Sequence, residues 1–269
     1  MALDLDETTL DGRGCLAPEN RRALESAIIQ GIQVVVATGR SVTALPEEIL
    51  KVPGIRYAIT GNGAAVWDLT EKTPLRRYFL PPGAAEEILA LSAGESVTYE
   101  ATIAGQPYAG WDYINDPDKY LTGGRTAEYI RRTRKGVAEI TAFIGQHSAE
   151  LDSLNLVVDS LELKRRLMER LKQVGGVYIT TSVPQLIEIS NAESGKHRGL
   201  RFLAEYLGLR QQETAAFGNA DNDAEMLAWA GTGVAVSNAT PACLAAADYV
   251  TDHHDDAGVA KALQKLWDI

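Results

Sequence analysis

The chain has 269 residues, 45% hydrophobic and 23% charged, an ordinary globular composition with length for one large domain or two smaller ones. A net charge of −10 and a pI near 5.0 argue against a nucleic-acid binder held by phosphate contacts, but leave phosphorylated small molecules open as substrates, because positive charge can gather locally. Cys15 and Cys243 are the only cysteines and give no disulfide framework or zinc spacing; with no membrane-length apolar stretch and no basic, apolar leader, a cytoplasmic protein without membrane partners is expected.

The first ten residues carry the first chemical signal. Asp4 and Asp6 follow a short apolar run, with Thr8 two residues further on. Residues i and i+2 of a strand face the same way, so a strand running to Asp4 or just past it would bring two carboxylates to its C-terminal edge. Such a pair is costly unless a cation lies between the two groups or one is protonated. Taken alone, it reads as readily as a solvated turn.

Residues 18–31 read as a helix, opened by Pro18, striped by Leu24, Ile28 and Ile29, and stopped by Gly31. Residues 32–37 form a β-branched run suited to a buried parallel strand, ending in Thr38-Gly39-Arg40. A helix over 42–50, a strand over 57–60 and the turn Gly61-Asn62-Gly63 follow. This alternation is the signature of a doubly wound α/β sheet, in which ligands gather at the carboxyl ends of the strands.

The pattern changes near residue 80. Pro81-Pro82-Gly83 precedes a helix over 84–91, strands near 97–103, 154–158, 177–181 and 186–189, and helices near 126–135 and 162–174. Residues 106–124, rich in Gly, Pro, Asp and Tyr, read as a long loop. Residues 81–187 are therefore expected to form an inserted α+β domain, with 1–80 and 188–269 as the α/β core. Alternation resumes with a helix over 196–207, a strand over 215–218 and helices over 224–230, 240–247 and 258–267, with strands at 233–236 and 249–250 between them.

Four strand-end motifs now stand in order: Asp4-x-Asp6-x-Thr8, Thr38-Gly39-Arg40, Lys196, and Gly218-Asn219-x-x-Asn222-Asp223. Singly, Thr38 could be a helix cap and Lys196 a solvated helix residue. Together the series resembles the haloacid dehalogenase (HAD) superfamily of aspartate-nucleophile phosphohydrolases, over nearly the whole chain. The Asn62-Gly63-Ala64 turn, Ser194-Gly195-Lys196 and the run from Gly233 to Ala239 are similar to its Cof-like branch, whose α/β cap is inserted between the second and third motifs.

The resemblance implies a Rossmann-like core and an Mg²⁺-dependent phosphatase of small phosphorylated metabolites, sugar phosphates foremost. It casts Asp4 as the nucleophile that forms an aspartyl-phosphate and Asp6 as the acid and then the base. Thr38, Gly39 and Arg40, with Asn62, Gly63 and Asn222, are the implied phosphate- and substrate-binding groups. Lys196 is a compact positive charge beside the nucleophile and the phosphate. The implied metal ligands are the Asp4 carboxylate, the Asp6 main-chain carbonyl, Asn219 and Asp223, an oxygen set suited to a hard ion. A cap closing over the site favours small substrates.

The chain departs from the family pattern at several positions. Asn219 stands where Asp is common, offering a carbonyl oxygen without charge, so metal affinity should fall unless Asp221 or Asp223 takes more of the load. Glu7 stands where Gly is common, Thr9 where Leu is usual, and only Met1, Ala2 and Leu3 precede Asp4. Two further readings share the motifs: a phosphomutase of the same fold, and a binding or regulatory protein that keeps the fold without turnover.

Overall fold

The computed structural model describes residues 1–120 and 126–269. Its strands, in chain order, are β1 (Ala2–Leu3), β2 (Val35–Ala37), β3 (Tyr57–Thr60), β4 (Ala65–Asp68), β5 (Thr73–Arg77), β6 (Val97–Ile103), β7 (Gln106–Gly110), β8 (Lys135–Val137), β9 (Leu151–Val158), β10 (Val177–Thr180), β11 (Leu186–Asn191), β12 (Ala215–Gly218), β13 (Thr232–Val236) and β14 (Tyr249–Thr251). They form an eight-stranded sheet of order β14-β13-β12-β1-β2-β3-β4-β5 and a six-stranded sheet of order β10-β11-β9-β6-β7-β8. The chain divides into two units, residues 1–40, 45–76 and 195–269 in one, and 41–44 and 77–194 in the other.

The first unit is the mostly parallel α/β fold. Neighbours from β14 through β3 pair in parallel, and β4 returns antiparallel to β3. Its centre is β1, only two residues long but paired on both sides, Ala2 with Ala216 and Val35, Leu3 with Phe217 and Val36. The period-2 alternation of a strand puts the small Ala2, Ala216, Val35 and Ala235 against helices Lys196–Tyr206 and Asp221–Trp229. Phe217 faces the opposite way and meets Trp267 of helix Gly258–Trp267 with ring centroids 6.3 Å apart. Parallel strands end on the same edge, so residues following β1, β2, β3 and β12 collect there.

The second unit has its own core. One face of its mostly antiparallel sheet, carrying Tyr99, Ala101, Leu154, Leu156, Ile187 and Ile189, is covered by helices Ala84–Ser92, Ile140–Gln146 and Leu161–Leu171. The unit boundaries differ from 81 and 187. Arg77 is ion-paired with Asp152 at 2.6 Å and Leu80 N–H bonds Leu151 O at 2.8 Å, which draws 77–80 into this unit. At the other end β11 continues to Asn191 in register with β9 and β10, so residues 188–194 belong here too.

Several elements differ from the sequence reading. The helix expected over 42–50 is a 3-10 turn, Val42–Ala44, and a single turn Glu47–Leu50, because Pro46 cannot donate within a continuous helix. The long loop expected over 106–124 holds β7, a helix at Trp111–Asn115 and a 3-10 turn at Pro117–Lys119, with Tyr113 and Tyr120 buried; residues 121–124 lie outside the described residues. The composition there misled because β6 and β7 form a hairpin turning at Ala104-Gly105, both with positive φ, where polar turn residues sit beside a paired strand. Strands β4 and β5 and helix Ile140–Gln146 were not expected. No helix among the described residues is long and apolar enough to cross a membrane.

Phe217 is fully buried on the strand that flanks β1. Phe217→Ala should cost about 3–5 kcal/mol, read as a lowered urea midpoint; a loss under about 1 kcal/mol would mean the site collapses around the missing ring.

Candidate active site

The C-terminal edge of the parallel sheet holds a buried ionic centre. Asp4 sits one residue past β1, its N–H still in the ladder through Phe217 O at 3.0 Å. The chain then enters a tight turn over Leu5–Thr9, with Glu7 at φ +56. That turn folds two hydroxyls back onto Asp4. Thr8 Oγ1 donates to Asp4 Oδ2 at 2.8 Å, and Thr9 Oγ1 to the Asp4 main-chain oxygen at 2.6 Å.

Lys196 opens helix Lys196–Tyr206 and donates from Nζ to Asp4 Oδ1 at 2.7 Å and to Asp223 Oδ1 at 2.6 Å. The three side chains are 0%, 7% and 0% exposed, in the order Lys196, Asp4, Asp223. Asp223 lies in the first turn of helix Asp221–Trp229, and its Oδ2 accepts from the N–H groups of Asn219 and Ala220 at 3.0 and 3.1 Å. A methyl group on Gly218 would lie 2.4 Å from Asp223 Cβ, so the residue before Asn219 must be glycine for this carboxylate to fit.

One ammonium serves two carboxylates, and the electrostatics follow. Burial, then repulsion from Asp223, push Asp4 up to about 7, only partly offset by Lys196. Burial opposes the charge on Lys196, but attraction from Asp223 and Asp4 outweighs it and holds the ammonium above its usual range. Lys196 stays charged, and Asp4 remains short of positive charge.

The other expected residues fall around this centre. Asp6 does not share a strand face with Asp4, because β1 ends at Leu3 and Asp6 lies in the turn with its side chain 52% exposed. Arg40 grips its carboxylate in a fork, Nη2 to Oδ1 at 2.6 Å and Nε to Oδ2 at 2.9 Å. Thr38, buried, accepts from Arg40 N–H at 3.1 Å through Oγ1, and half-buried Gly39 lies between them. Asn222 Nδ2 donates to Asn62 Oδ1 at 2.9 Å, and Gly195 N–H donates to Asn62 O at 2.7 Å. Asn62 and Gly63 both adopt positive φ, and a Cβ on Gly63 would lie 2.3 Å from Gly195 O. These contacts brace the residue that leads into Lys196.

Of the four expected metal ligands, Asp223 is already engaged. Both its oxygens accept hydrogen bonds that fix Lys196 and the residues before the helix. Asn219 is 9% exposed; its main-chain N–H and C=O are bonded, while its side-chain amide makes no hydrogen bond among the described residues. Asp221, the other candidate, accepts from Thr240 Oγ1 at 2.7 Å. The donors left to a cation are hard oxygens at a centre with more carboxylate than positive charge, so the residues fit a hard divalent ion. Sequence reasoning gave Thr9 and Gly218 no part in holding the centre; Thr8 and Gly218 had a signal in their places in the first and fourth motifs, and Thr9 had none. His253, His254 and Asp255 bring donor atoms within 4.8 Å of one another, with His254 Nδ1 tied to Leu10 O at 3.1 Å.

The parallel α/β sheet thus joins a buried carboxylate, a lysine and a second carboxylate at its strand ends. The family model for haloacid dehalogenase-like hydrolases matches residues 1–263, and the chain belongs to that family. It is 29% identical to phosphatase YwpJ of Bacillus subtilis (strain 168), over 99% of both chains. It is 27% identical to the 5-amino-6-(5-phospho-D-ribitylamino)uracil phosphatase YcsE of the same organism, over 98% of this chain and 94% of that one. The solved structure of a haloacid dehalogenase-like hydrolase from B. subtilis superposes with a TM-score of 0.84 at 25% identity, covering 98% of each chain.

The charge balance has measurable consequences. Asp4 has a folded-state value of about 7 against an ordinary 3.8, so its ionisation weakens the fold progressively across that interval and fully above it. In Mg²⁺-free buffer, Asp4→Asn should therefore raise the melting temperature more at pH 8 than at pH 5; equal gains would show that Asp4 does not titrate there. Lys196→Met strands two buried carboxylates and should cost about 3–5 kcal/mol in denaturant unfolding, partly recovered by adding Asp4→Asn. Additive losses in that pair would contradict the shared centre.

Proposed function

We propose that this chain is an Mg²⁺-dependent phosphatase of small phosphorylated metabolites, sugar phosphates foremost, working through an aspartyl-phosphate on Asp4. The observation that carries the reading is the Asp4 carboxylate, buried at the sheet edge with one oxygen on Lys196 and the other on Thr8. The full-length relatives named as phosphatases support it.

Lys196 and Thr8 hold the Asp4 carboxylate in one orientation, so its attack on phosphorus starts from a fixed geometry. An Asp4 oxygen forms the new bond to phosphorus as the bond to the leaving oxygen breaks. Lys196 offsets the charge that the nucleophile and the phosphoryl group share. Asp6, released from Arg40 and protonated, gives its proton to the leaving oxygen, then takes one from the water that hydrolyses the aspartyl-phosphate. Arg40, freed of Asp6, and Thr38 are placed to meet phosphate oxygens. The Asp4 carboxylate, the Asp6 carbonyl and Asn219 would hold Mg²⁺, which would supply further charge neutralisation at the phosphoryl group.

With p-nitrophenyl phosphate and Mg²⁺, the protein should release phosphate, and Asp4→Asn and chelator treatment should each abolish it. Asp6→Asn should slow hydrolysis of a sugar phosphate by about 10²–10⁴-fold. With p-nitrophenyl phosphate, whose leaving group needs no proton, that variant should give a burst of about one nitrophenolate per site and then slow turnover. Full activity in Asp4→Asn would remove the nucleophile assignment. Release of an isomeric phosphosugar in place of free phosphate would mark a mutase, and no turnover on a panel of phosphosugars would mark a binding protein.

A further inference from the structure

The segment after β14 gathers donors that the proposed catalysis leaves unused. His253, His254 and Asp255 bring one ligand atom each within 4.8 Å of one another, and the two imidazole rings lie with centroids 4.4 Å apart. His254 is buried, and its Nδ1 lies 3.1 Å from Leu10 O. A carbonyl only accepts, so Nδ1 carries the proton and Nε2 keeps a lone pair. That Nε2 makes no hydrogen bond among the described residues. His253 Nδ1 accepts from Asp255 N–H at 3.2 Å, so it too presents a lone pair. The Asp255 carboxylate lies 3.7 Å from His253 Nδ1 and 3.6 Å from His254 Nδ1, and among the described residues no lysine or arginine pairs with it. Of the charges close by, Lys261 is paired with Asp252 and Arg13 with Asp11, while Asp256 adds a further carboxylate.

We propose that His253, His254 and Asp255 form a Zn²⁺ site, built of residues outside the Asp4 centre and independent of the function proposed above. Imidazole nitrogen is a borderline donor that suits Zn²⁺, whereas Mg²⁺ selects oxygen. Ligand atoms about 2.0–2.2 Å from a tetrahedral ion lie roughly 3.4 Å from one another. The cluster is slightly wider than that, and the side chains of His253 and Asp255, 41% and 54% exposed, have room to turn inward. His254 is already oriented as metal-bound histidines are, with its other ring N–H on a main-chain carbonyl. Three protein donors leave the fourth position to water. The site also braces the turn of the first motif. Asp255 Oδ1 accepts from Gly12 N–H at 2.8 Å, His254 N–H donates to Asn238 Oδ1 at 3.2 Å, and Asn238 Nδ2 donates to Glu7 O at 2.9 Å. An ion on His254 and Asp255 therefore ties residues 7–12 to the segment after β14.

The test is calorimetric titration of the whole protein with Zn²⁺ in the presence of excess Mg²⁺. The unmodified protein should bind one Zn²⁺ that Mg²⁺ does not displace. His253→Asn and Asp255→Asn should each weaken it by about tenfold or more. In Asp255→Asn the amide oxygen can still accept from Gly12 N–H, so that loss reads the ligand rather than the loop. His254→Gln should remove binding; if that buried substitution prevents folding, the two exposed positions still carry the test. Asp4→Asn and Cys15→Ser should leave Zn²⁺ binding as it is, the first removing the Asp4 centre and the second the exposed thiol. Failure of the unmodified protein to bind Zn²⁺ overturns the proposal. So does binding that survives unchanged in both His253→Asn and Asp255→Asn, or that is lost in Asp4→Asn or Cys15→Ser. None of these outcomes alters the reading of Asp4 as nucleophile, which the phosphate-release assays test separately.

Discussion

A single buried ammonium organises this protein. Lys196 Nζ lies out of solvent between Asp4 and Asp223, and those residues come from the end of the central strand and the first turns of two helices. A charge in that environment is tolerated only when partners replace its lost hydration. The backbone around it is shaped to supply them. Gly218 leaves room for Asp223, the Asn62-Gly63 turn supports Gly195, and the turn after β1 folds Thr8 onto the far oxygen of Asp4.

The rest of the first unit makes that contact available. A parallel arrangement puts every strand's carboxyl end on one edge, so residues far apart in sequence meet without a dedicated scaffold. The central strand β1 has two residues, yet it keeps its place because both neighbours pair with it and Asp4 N–H extends one ladder. The inserted unit needs none of this support: its mostly antiparallel sheet buries an apolar face under its own helices.

The centre is also unbalanced. Two carboxylates share one ammonium, and Asp4 is pushed to about 7. Asp6 lies outside the buried set, its side chain half exposed and held by Arg40, so two carboxylates two residues apart meet different environments.

The alternation of elements and the polar strand ends were legible in the sequence, because hydrophobic period and turn chemistry are local properties; the joint reading of Asp4, Thr38, Lys196 and Asp223 came from the resemblance that their ordered motifs carry. Residues 106–119 were not: Gly, Pro and Tyr there look like loop until β6 offers a hairpin partner. Asp6 was misplaced for a similar reason, since period-2 reasoning assumes a strand that here stops at Leu3. The sequence by itself determined which charged groups the chain possesses and on which elements they ride. Tertiary structure alone decided that Lys196 is shared, that Asp223 is committed to it, that Arg40 holds Asp6 and that the Asn219 amide finds no partner among the described residues. Those outcomes depend on distances between segments as many as 192 residues apart, which no local pattern encodes.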